Sequence, residues 1–243
     1  MTRLKTAALP VAAIGLMGVS LAQAVTAPPE RVQGDFAKML FIHVPSVMAA
    51  YVGFAVALLA ALAYLAARKA IADRVSAAAV EVGVLFTALT LLTGMIWGRP
   101  TWGVWWDWGD ARMMSTALLF FFYLGYMALR RAILDPDVRA RRSAFFAIIA
   151  FVQVPIVHFS VQLFRTLHQP ATILRPDIEN APIDPVYGRT LGISILAFIV
   201  LFFWFLQLRT RLAAIDAEAE ALAPDAHIAG AAVTAPDLRG ANG

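Results

Sequence analysis

Tryptophan is concentrated in one short stretch of the chain, WGRPTWGVWWDWGDAR at residues 97–112, which holds five of its six tryptophans. Aromatic side chains collect at membrane interfaces, and this tendency explains one or two of them well. It explains five within twelve residues poorly, and the glycines between them let a ligand approach the backbone closely. The stretch therefore predicts a flat aromatic shelf for a flat, apolar, conjugated ligand. Its members are Trp97, Trp102, Trp105, Trp106 and Trp108.

Charged residues in this tryptophan loop (residues 97–112) could bind the polar edge of such a ligand. The guanidinium groups of Arg99 and Arg112 have the forked geometry that suits a carboxylate. Asp110 and Arg112 could instead pair with each other or with lipid headgroups, which contributes little at a wet surface. A flat apolar body with carboxylates at one edge describes haem, and the loop therefore indicates a haem site.

The histidines offer ligands for the iron of such a haem. The chain has no cysteine, which excludes disulfides, Cys-ligated zinc, iron–sulfur clusters and covalent haem attachment through Cys-x-x-Cys-His. His43, in FIHVPS, and His168, in TLHQP, are each more typical of structural residues when taken alone. As a pair on one side of a membrane, they predict an axial bis-histidine set. Val44 is expected to be extended because it precedes Pro45, which suits the first turn of a helix.

Two further histidines and a row of small residues are interpreted as structural. His158 lies inside an apolar run, and ten residues, about 15 Å of helix, separate it from His168. We therefore expect a neutral imidazole bonded to a neighbouring helix, although a functional role is the default for an ionisable residue at this depth. His227 is expected to be exposed and inert. Helix packing rather than a channel lining is predicted for Gly83, Thr87, Thr90, Thr93 and Gly94.

Composition places these residues in a membrane protein. The chain is 60% hydrophobic and 15% charged, and apolar runs near 20 residues recur along it. Each run can cross a bilayer core of roughly 30 Å as a helix, and backbone groups in lipid must pair internally. We predict an all-α, polytopic fold of six transmembrane helices. The predicted spans are residues 7–25, 40–67, 77–97, 113–129, 143–167 and 190–208.

Basic residues near the span ends predict the orientation. Twelve lie on the side that holds both termini and seven on the opposite side, so both termini are predicted to be cytoplasmic. The net charge of +4 is explained by these linkers, and nucleic acid is not an expected partner. Residues 1–211 form the predicted membrane domain, and residues 212–243 a mostly disordered cytoplasmic tail. The first run also has features of a signal peptide, with Ala22-Gln23-Ala24 as a cleavage-like site.

This orientation brings three separate parts of the chain to the external side. The tryptophan loop joins the third and fourth spans, His43 begins the second span, and His168 ends the fifth. Counting spans therefore places both candidate iron ligands and the aromatic shelf at one depth.

These motifs resemble the haem-handling proteins of cytochrome c maturation, most closely the CcmC family. The resemblance covers roughly residues 36–208 and includes the tryptophan loop, FIHVP and VHFSVQLFRTLHQP, in the order typical of the family. It implies that haem lies at the external face over the tryptophan loop, with His43 and His168 as axial ligands. It also implies a retained first helix. Asp110 is the best match to the family aspartate, with Gly109 absorbing an extra residue as a bulge. Leu163 and Phe164 replace two usual tryptophans.

The resemblance also implies the function. The chain would be a non-enzymatic, multi-pass subunit of the bacterial inner membrane that binds haem b non-covalently on the periplasmic side. It would deliver the haem to the periplasmic chaperone CcmE, in a complex with the ABC transporter CcmA–CcmB and the small protein CcmD. Arg99, Arg112 or Arg165 would receive the propionates, and Asp110 would orient an arginine or the chaperone. Its other contacts would be with membrane lipid.

Three alternatives stay open at this point. A CcsA-type protein shares the tryptophan motif but typically has more histidines and a longer chain. A bis-histidine electron-transfer cytochrome b needs haem inside the bilayer, where only His158 lies at a suitable depth. A transporter for another small molecule would need more polar groups at mid-membrane. The sequence has no phosphate-binding loop followed by Lys, so ATP hydrolysis by this chain is excluded.

Overall fold

The structure, a computed structural model, describes residues 2–168 and 183–222. His227, Arg175 and the predicted disordered part of the tail lie outside the described residues. Within the two described ranges the chain is helical, with no β-strand beyond an isolated bridge between Glu30 and Gly34. The helices are α1 (Thr2–Thr26), α2 (Leu40–Ala67), α3 (Ala70–Trp102), α4 (Ala111–Ala132), α5 (Pro136–Phe151), α6 (Gln153–Leu163) and α7 (Pro185–Leu222).

The helices of the described ranges include six segments that are long and apolar enough to cross a membrane, with α5 and α6 together forming one of them. The prediction of an all-helical chain with six spans is therefore confirmed. The orientation of the termini stays a prediction. Helix α2 begins and ends where the second span was predicted, whereas α3, α4 and α7 continue beyond the apolar runs. Apolar runs mark only the part of a helix that lipid requires, and a helix can continue into the interface.

The predicted fifth span consists of two consecutive helices. A one-residue irregularity at Val152, whose backbone stays in the α-helical region, separates α5 from α6. Pro155 explains the irregularity, because its nitrogen cannot donate to the carbonyl of Phe151 and its ring crowds that carbonyl. Helix α6 then ends at Leu163, and Phe164 is extended with φ −133° and ψ 159°. Residues 164–168 are consequently a non-helical segment rather than the last turn of a span.

Helix α2 is the centre of the bundle and packs against α3, α5 and α7. It meets α3 at two glycines: a Cβ built on Gly53 would lie 3.2 Å from the Cα of Gly83. Beside this crossing, the ring of Phe54 stacks on that of Tyr123 with centroids 3.7 Å apart and an interplanar angle of 5°. Small residues on α2 and α3 thus allow the close helix contact that membrane bundles use in place of a hydrophobic driving force.

The first and last helices pack against each other. Ser20 on α1 donates a buried hydrogen bond to Ser194 on α7, with the two oxygens 2.8 Å apart. Just beyond α1, the carbonyl of Pro28 accepts a hydrogen bond of 2.9 Å from the Tyr187 hydroxyl. These contacts join α1 to the remainder of the bundle.

At the end of the bundle away from the tryptophan loop, an ion pair connects the start of α3 to the end of α4. Arg130, on α4, binds both carboxylate oxygens of Asp73, on α3, at 2.6 and 2.8 Å. Further along α3, Glu81 binds Arg209 of α7 at 2.5 Å. Since α3 and α4 run in opposite directions, this arrangement leaves the end of α3 and the start of α4 together at the other end of the bundle.

Candidate functional site

A cavity of about 180 Å³ opens at the end of the bundle that holds the tryptophan loop. Helices α2, α3, α4 and α6 form its walls, together with residues of the loop and of the segment after α6. The aromatic, basic and imidazole side chains among its lining residues are His43, Tyr51, Trp97, Trp102, Trp106, Arg112, His158 and His168. The structure thus brings the two predicted axial histidines and three members of the predicted shelf to one cavity.

His43 enters the cavity from the first turn of α2. Its Nδ1 lies 3.1 Å from the Thr93 hydroxyl oxygen on α3. That hydroxyl uses its single hydrogen toward the carbonyl of Leu89, at 2.7 Å, and can only accept from the ring. Nδ1 therefore carries the proton, and Nε2 carries the lone pair. Gly94 makes the approach possible, because a Cβ there would lie 3.0 Å from Cε1 of the imidazole.

The expectation that Val44 is extended was wrong. Helix α2 begins at Leu40 and includes both Val44 and Pro45. A 3₁₀ helix, Asp35–Met39, leads directly into α2, so the helical path is already set when the chain reaches the proline. The hydroxyl of Ser46 donates to the carbonyl of Ile42 at 2.7 Å, one turn earlier.

Asp110 connects the tryptophan loop to the segment after α6. It caps the start of α4, where its Oδ1 accepts from the backbone N–H of Met113 at 2.8 Å. Its Oδ2 accepts from the Thr166 hydroxyl at 2.5 Å and from the backbone N–H of Leu167 at 2.7 Å. The side chain is fully buried. Burial alone would raise the pKa of this carboxyl group, but the hydrogen bonds outweigh it and hold the pKa below its usual value.

His168 is oriented by the same carboxylate. Its Nδ1 lies 3.2 Å from Oδ1 of Asp110 and 3.3 Å from the Thr166 oxygen. Because an ionised carboxylate only accepts, Nδ1 carries the proton and Nε2 the lone pair, as in His43. Burial lowers the pKa of the His168 imidazole, and the opposing effect of the carboxylate does not restore it. A lowered pKa keeps this imidazole neutral near pH 7, the form that can bind a metal.

The paired histidines and the tryptophan-lined cavity agree with a match of most of the chain to a known family. A family model described as heme exporter protein C (CcmC) matches residues 1–224. The heme exporter protein C of Bradyrhizobium diazoefficiens is 40% identical over 194 residues, which cover 80% of this chain and 73% of the relative. That of Haemophilus influenzae is 34% identical over 209 residues, covering 84% and 82% of the two chains. In Escherichia coli (strain K12) the identity is 34% over 174 residues, 70% and 69% of the chains.

The chain belongs to the heme exporter protein C family. The family predicted from the tryptophan loop and the two histidine segments is thereby confirmed. The match extends over α1, the loop, both histidine segments and all of α7.

The tryptophan loop of this heme exporter protein C family member divides into two groups. Trp97, Trp102 and Trp106 line the cavity; the ring of Trp102 lies 4.7 Å from that of His168, and Trp97 meets His43 edge-on at 5.8 Å. Trp105 and Trp108 are 54% and 79% exposed, and neither is among the described residues that line the cavity. The predicted shelf of five is thus an inner group of three and an outer group of two.

Residues 107–110 of the tryptophan loop form a turn, and the assignment of an extra residue to Gly109 stays a prediction. The side-chain carboxylate of Asp107 accepts a hydrogen bond from the backbone N–H of Gly109 at 2.8 Å. The backbone carbonyl of Asp107 accepts one from the backbone N–H of Asp110 at 3.2 Å. This turn directs Trp108 outward while it keeps Asp110 in position to cap α4.

Of the predicted propionate-binding arginines, Arg112 is the one found in the cavity lining among the described residues. It joins α4 to α6, because its Nη2 donates to the carbonyl of His158 at 2.8 Å and its Nε to the Ser160 hydroxyl at 3.4 Å. Arg99 is exposed and donates to the carbonyl of Gly103 at the end of α3. Arg165 is exposed on the segment after α6. The hydrogen bonds of the Asp110 side chain are with the His168 segment and with α4.

Two structural interpretations from the sequence need correction. The 15 Å of helix expected between His158 and His168 is wrong, because α6 ends at Leu163 and the chain turns back toward the cavity, which both histidines line. The small-residue row on α3 is only partly a packing surface. Gly83 packs against α2 as predicted, but Thr87, Thr90 and Gly94 line the cavity.

Sequence reasoning missed the residues that orient the imidazoles. Thr93 was interpreted as a helix-packing residue, and Thr166 was not considered. The Thr93 hydroxyl lies beside Nδ1 of His43, and the Thr166 hydroxyl accepts from the backbone N–H of His168. Gln33 was also missed; its side-chain oxygen accepts from the indole N–H of Trp97 at 2.8 Å. A threonine two residues before a histidine, as in TLH, is the one local signal, because such a hydroxyl often bonds the backbone nearby.

Proposed function

We propose that this chain binds haem b non-covalently at the external face of the bacterial inner membrane and delivers it to a periplasmic haem chaperone for cytochrome c maturation. The observation that carries the proposal is the pair of imidazoles in one cavity, each held through Nδ1 so that Nε2 has the lone pair. Histidines that bind metal usually donate their other N–H to a protein acceptor, which fixes the tautomer and the ring. Membership of a family named for haem export supports haem as the substrate.

The remaining lining of the cavity suits a tetrapyrrole. Trp97, Trp102 and Trp106 offer aromatic surfaces next to the two imidazoles. The indole nitrogen of Trp106 is buried and has no hydrogen-bond partner among the described residues, so it could donate to a carboxylate at the ligand edge. Arg112 has five N–H groups, and two of its nitrogens are occupied by His158 and Ser160. We assign Arg112 as the first candidate for a propionate, with Arg99 and Arg165 at the rim.

Delivery rather than chemistry is the proposed task, with His43 and His168 as ligands and no catalytic residue. In this scheme a CcmE-type chaperone receives the haem, and a CcmA–CcmB transporter with CcmD supplies the energy. Both termini would be cytoplasmic, so that the cavity opens on the periplasmic side. The family match favours this scheme over the CcsA-type alternative.

Visible spectroscopy of the purified protein in detergent, with haem supplied, tests the ligand assignment. We expect a low-spin bis-histidine spectrum in the wild type that is lost or shifted in both His43→Ala and His168→Ala. Added imidazole should restore the low-spin spectrum in each variant. His227→Ala, in the tail, is the matched control and should bind haem as the wild type does.

The same spectra distinguish the alternatives. A spectrum unchanged in both variants and abolished by His158→Ala would make His158, which lines the same cavity, the iron ligand and would contradict the assignment of His43 and His168. Absence of haem binding in the wild type would contradict the proposal. Transfer is tested separately by mixing haem-loaded protein with the purified chaperone and following the haem spectrum of each after separation.

A further inference from the structure

The two imidazoles of the cavity have different hydrogen-bond partners. His43 donates to the Thr93 hydroxyl, a neutral acceptor, at 3.1 Å. His168 lies 3.2 Å from a carboxylate, that of Asp110, which is buried and held ionised by further hydrogen bonds. A hydrogen bond to a charged acceptor is roughly twice as strong as one to a neutral acceptor.

The two imidazoles are also held differently by the backbone. His43 lies within α2, so the helix itself fixes its Cα. His168 lies in a non-helical segment that is tied down by one carboxylate: Asp110 binds Thr166 and Leu167, and the Thr166 oxygen accepts from the backbone N–H of His168 at 3.1 Å. The position of His168 therefore depends on Asp110, whereas the position of His43 does not.

From this difference we infer that Asp110 is a positioning residue that makes His168 the strong axial ligand and leaves His43, with its neutral partner, as the exchangeable one. The inference rests on the proposed function. A carboxylate that accepts from Nδ1 raises the basicity of Nε2 and so strengthens its bond to iron. Thr93 orients the other ring without adding charge.

The difference defines an order of release. When haem is handed on, the bond between iron and Nε2 of His43 breaks first, and the lone pair stays on Nε2. No electron moves, and Nδ1 keeps its proton toward Thr93. A nitrogen or oxygen donor of the acceptor protein takes the open position, while His168 holds the haem until the second bond is exchanged.

Asp110→Asn tests the role of the charge. Asparagine caps a helix about as well as aspartate, so α4 should keep its start. We expect haem affinity to fall by about 10- to 100-fold, the usual effect of removing an outer partner of a metal ligand. The reduction potential of the bound haem should shift to more positive values, because a less basic ligand stabilises ferric iron less. Asp107→Asn is the matched control, since it removes a charge from the same loop at a carboxylate whose hydrogen bond is to the backbone N–H of Gly109, in its own turn.

A measurement on the haem-free protein separates orientation from stability. Nitrogen-15 spectra of labelled histidine in micelles should show His168 protonated on Nδ1 in the wild type. In Asp110→Asn the proton should be distributed over both ring nitrogens, while His43 is unchanged. A His168 signal identical in the two proteins would overturn the inference, whatever the effect on folding.

The single-histidine variants test the asymmetry without any change at Asp110. His43→Ala, which keeps His168 and its carboxylate, should retain haem about ten-fold more tightly than His168→Ala. Equal retention, or the reverse order, would overturn the inference while leaving the proposed function intact. Failure of the proposed function differs from both results, because the wild type itself would then bind no haem or would bind it without either histidine.

Discussion

The α2–α3 pair uses small residues in opposite ways along its length. In the middle of the bundle, a Cβ on Gly83 would lie 2.7 Å from the ring of Phe54, which in turn stacks on Tyr123. Toward the tryptophan loop, Gly94 lies against His43, and Thr90 faces the cavity. The same kind of residue therefore brings two helices into contact in one region and makes room for the His43 imidazole in the other. We expect the first region to govern stability and, under the proposed function, the second to govern haem binding.

The largest expected effect is on packing at the helix crossing. Gly83→Val should lower the free energy of unfolding by about 3 kcal/mol, because Phe54 is held between this glycine and Tyr123 and cannot move aside. Unfolding in mixed micelles measures the change. Gly192→Val is the matched control, since a Cβ at Gly192 meets nothing within 4 Å and should alter stability little. Equal stability of the two variants would contradict the packing assigned to this region.

A smaller loss of stability is expected at the opposite end from the cavity. Arg130→Ala removes two hydrogen bonds to Asp73 and should cost about 2 kcal/mol. The haem spectrum should not change, because this pair is far from the cavity lining. Arg131→Ala, at an exposed neighbouring position, should leave stability within about 0.5 kcal/mol of the wild type. A changed haem spectrum in Arg130→Ala would show that the two regions are coupled.

Gly94→Ala should weaken haem binding and leave the stability of the fold nearly unchanged. The added Cβ would lie 3.0 Å from Cε1 of His43 and displace the ring from Thr93. Haem affinity should fall by about ten-fold, equivalent to about 1.4 kcal/mol, with little change in unfolding. Titration of haem into the purified protein measures it. Gly125→Ala, where a Cβ would make an ordinary contact with Phe146 at 3.6 Å, is the control. Unaltered affinity in Gly94→Ala would remove the proposed role of this glycine.

The smallest expected effects are on haem binding, and they should differ between the inner and the outer tryptophans of the loop. Trp102→Ala is expected to weaken haem binding by about 1 kcal/mol, because its ring lies beside that of His168. Trp108→Ala changes an exposed side chain outside the described cavity lining. Its free energy of haem binding should stay within about 0.5 kcal/mol of the wild type. Haem titration of both variants measures the difference. Equal losses would mean that the outer group contacts the ligand after all.

The sequence predicted the architecture well because membrane spans are recognised by length and composition. Counting spans was also sufficient to bring His43 and His168 to one end of the bundle, since each crossing reverses the side of the chain. The irregularity at Val152 and the early end of α6 could not be counted in this way. The position of His158 was misjudged for that reason: a distance along an assumed helix has no meaning once the chain turns.

The tryptophan loop shows a second limit of sequence reasoning. Five tryptophans look equivalent in composition, but a turn closed by Asp107 sends Trp108 outward, while Trp106 lines the cavity. Whether a side chain points inward depends on loop conformation, and that depends on hydrogen bonds such as those of Asp110 to Thr166 and Leu167.

The sequence by itself determined the fold class, the number of apolar spans, the family and the residue types available for a haem site, because these depend on composition and on local order along the chain. Only the tertiary structure decided which nitrogen of each histidine carries the lone pair. The partners that decide it are distant in sequence: Thr93 lies 50 residues from His43, and Asp110 lies 57 residues from Leu167 in the segment of His168. Hydrogen bonds of this kind form only when packed helices bring their donors and acceptors within about 3 Å of each other.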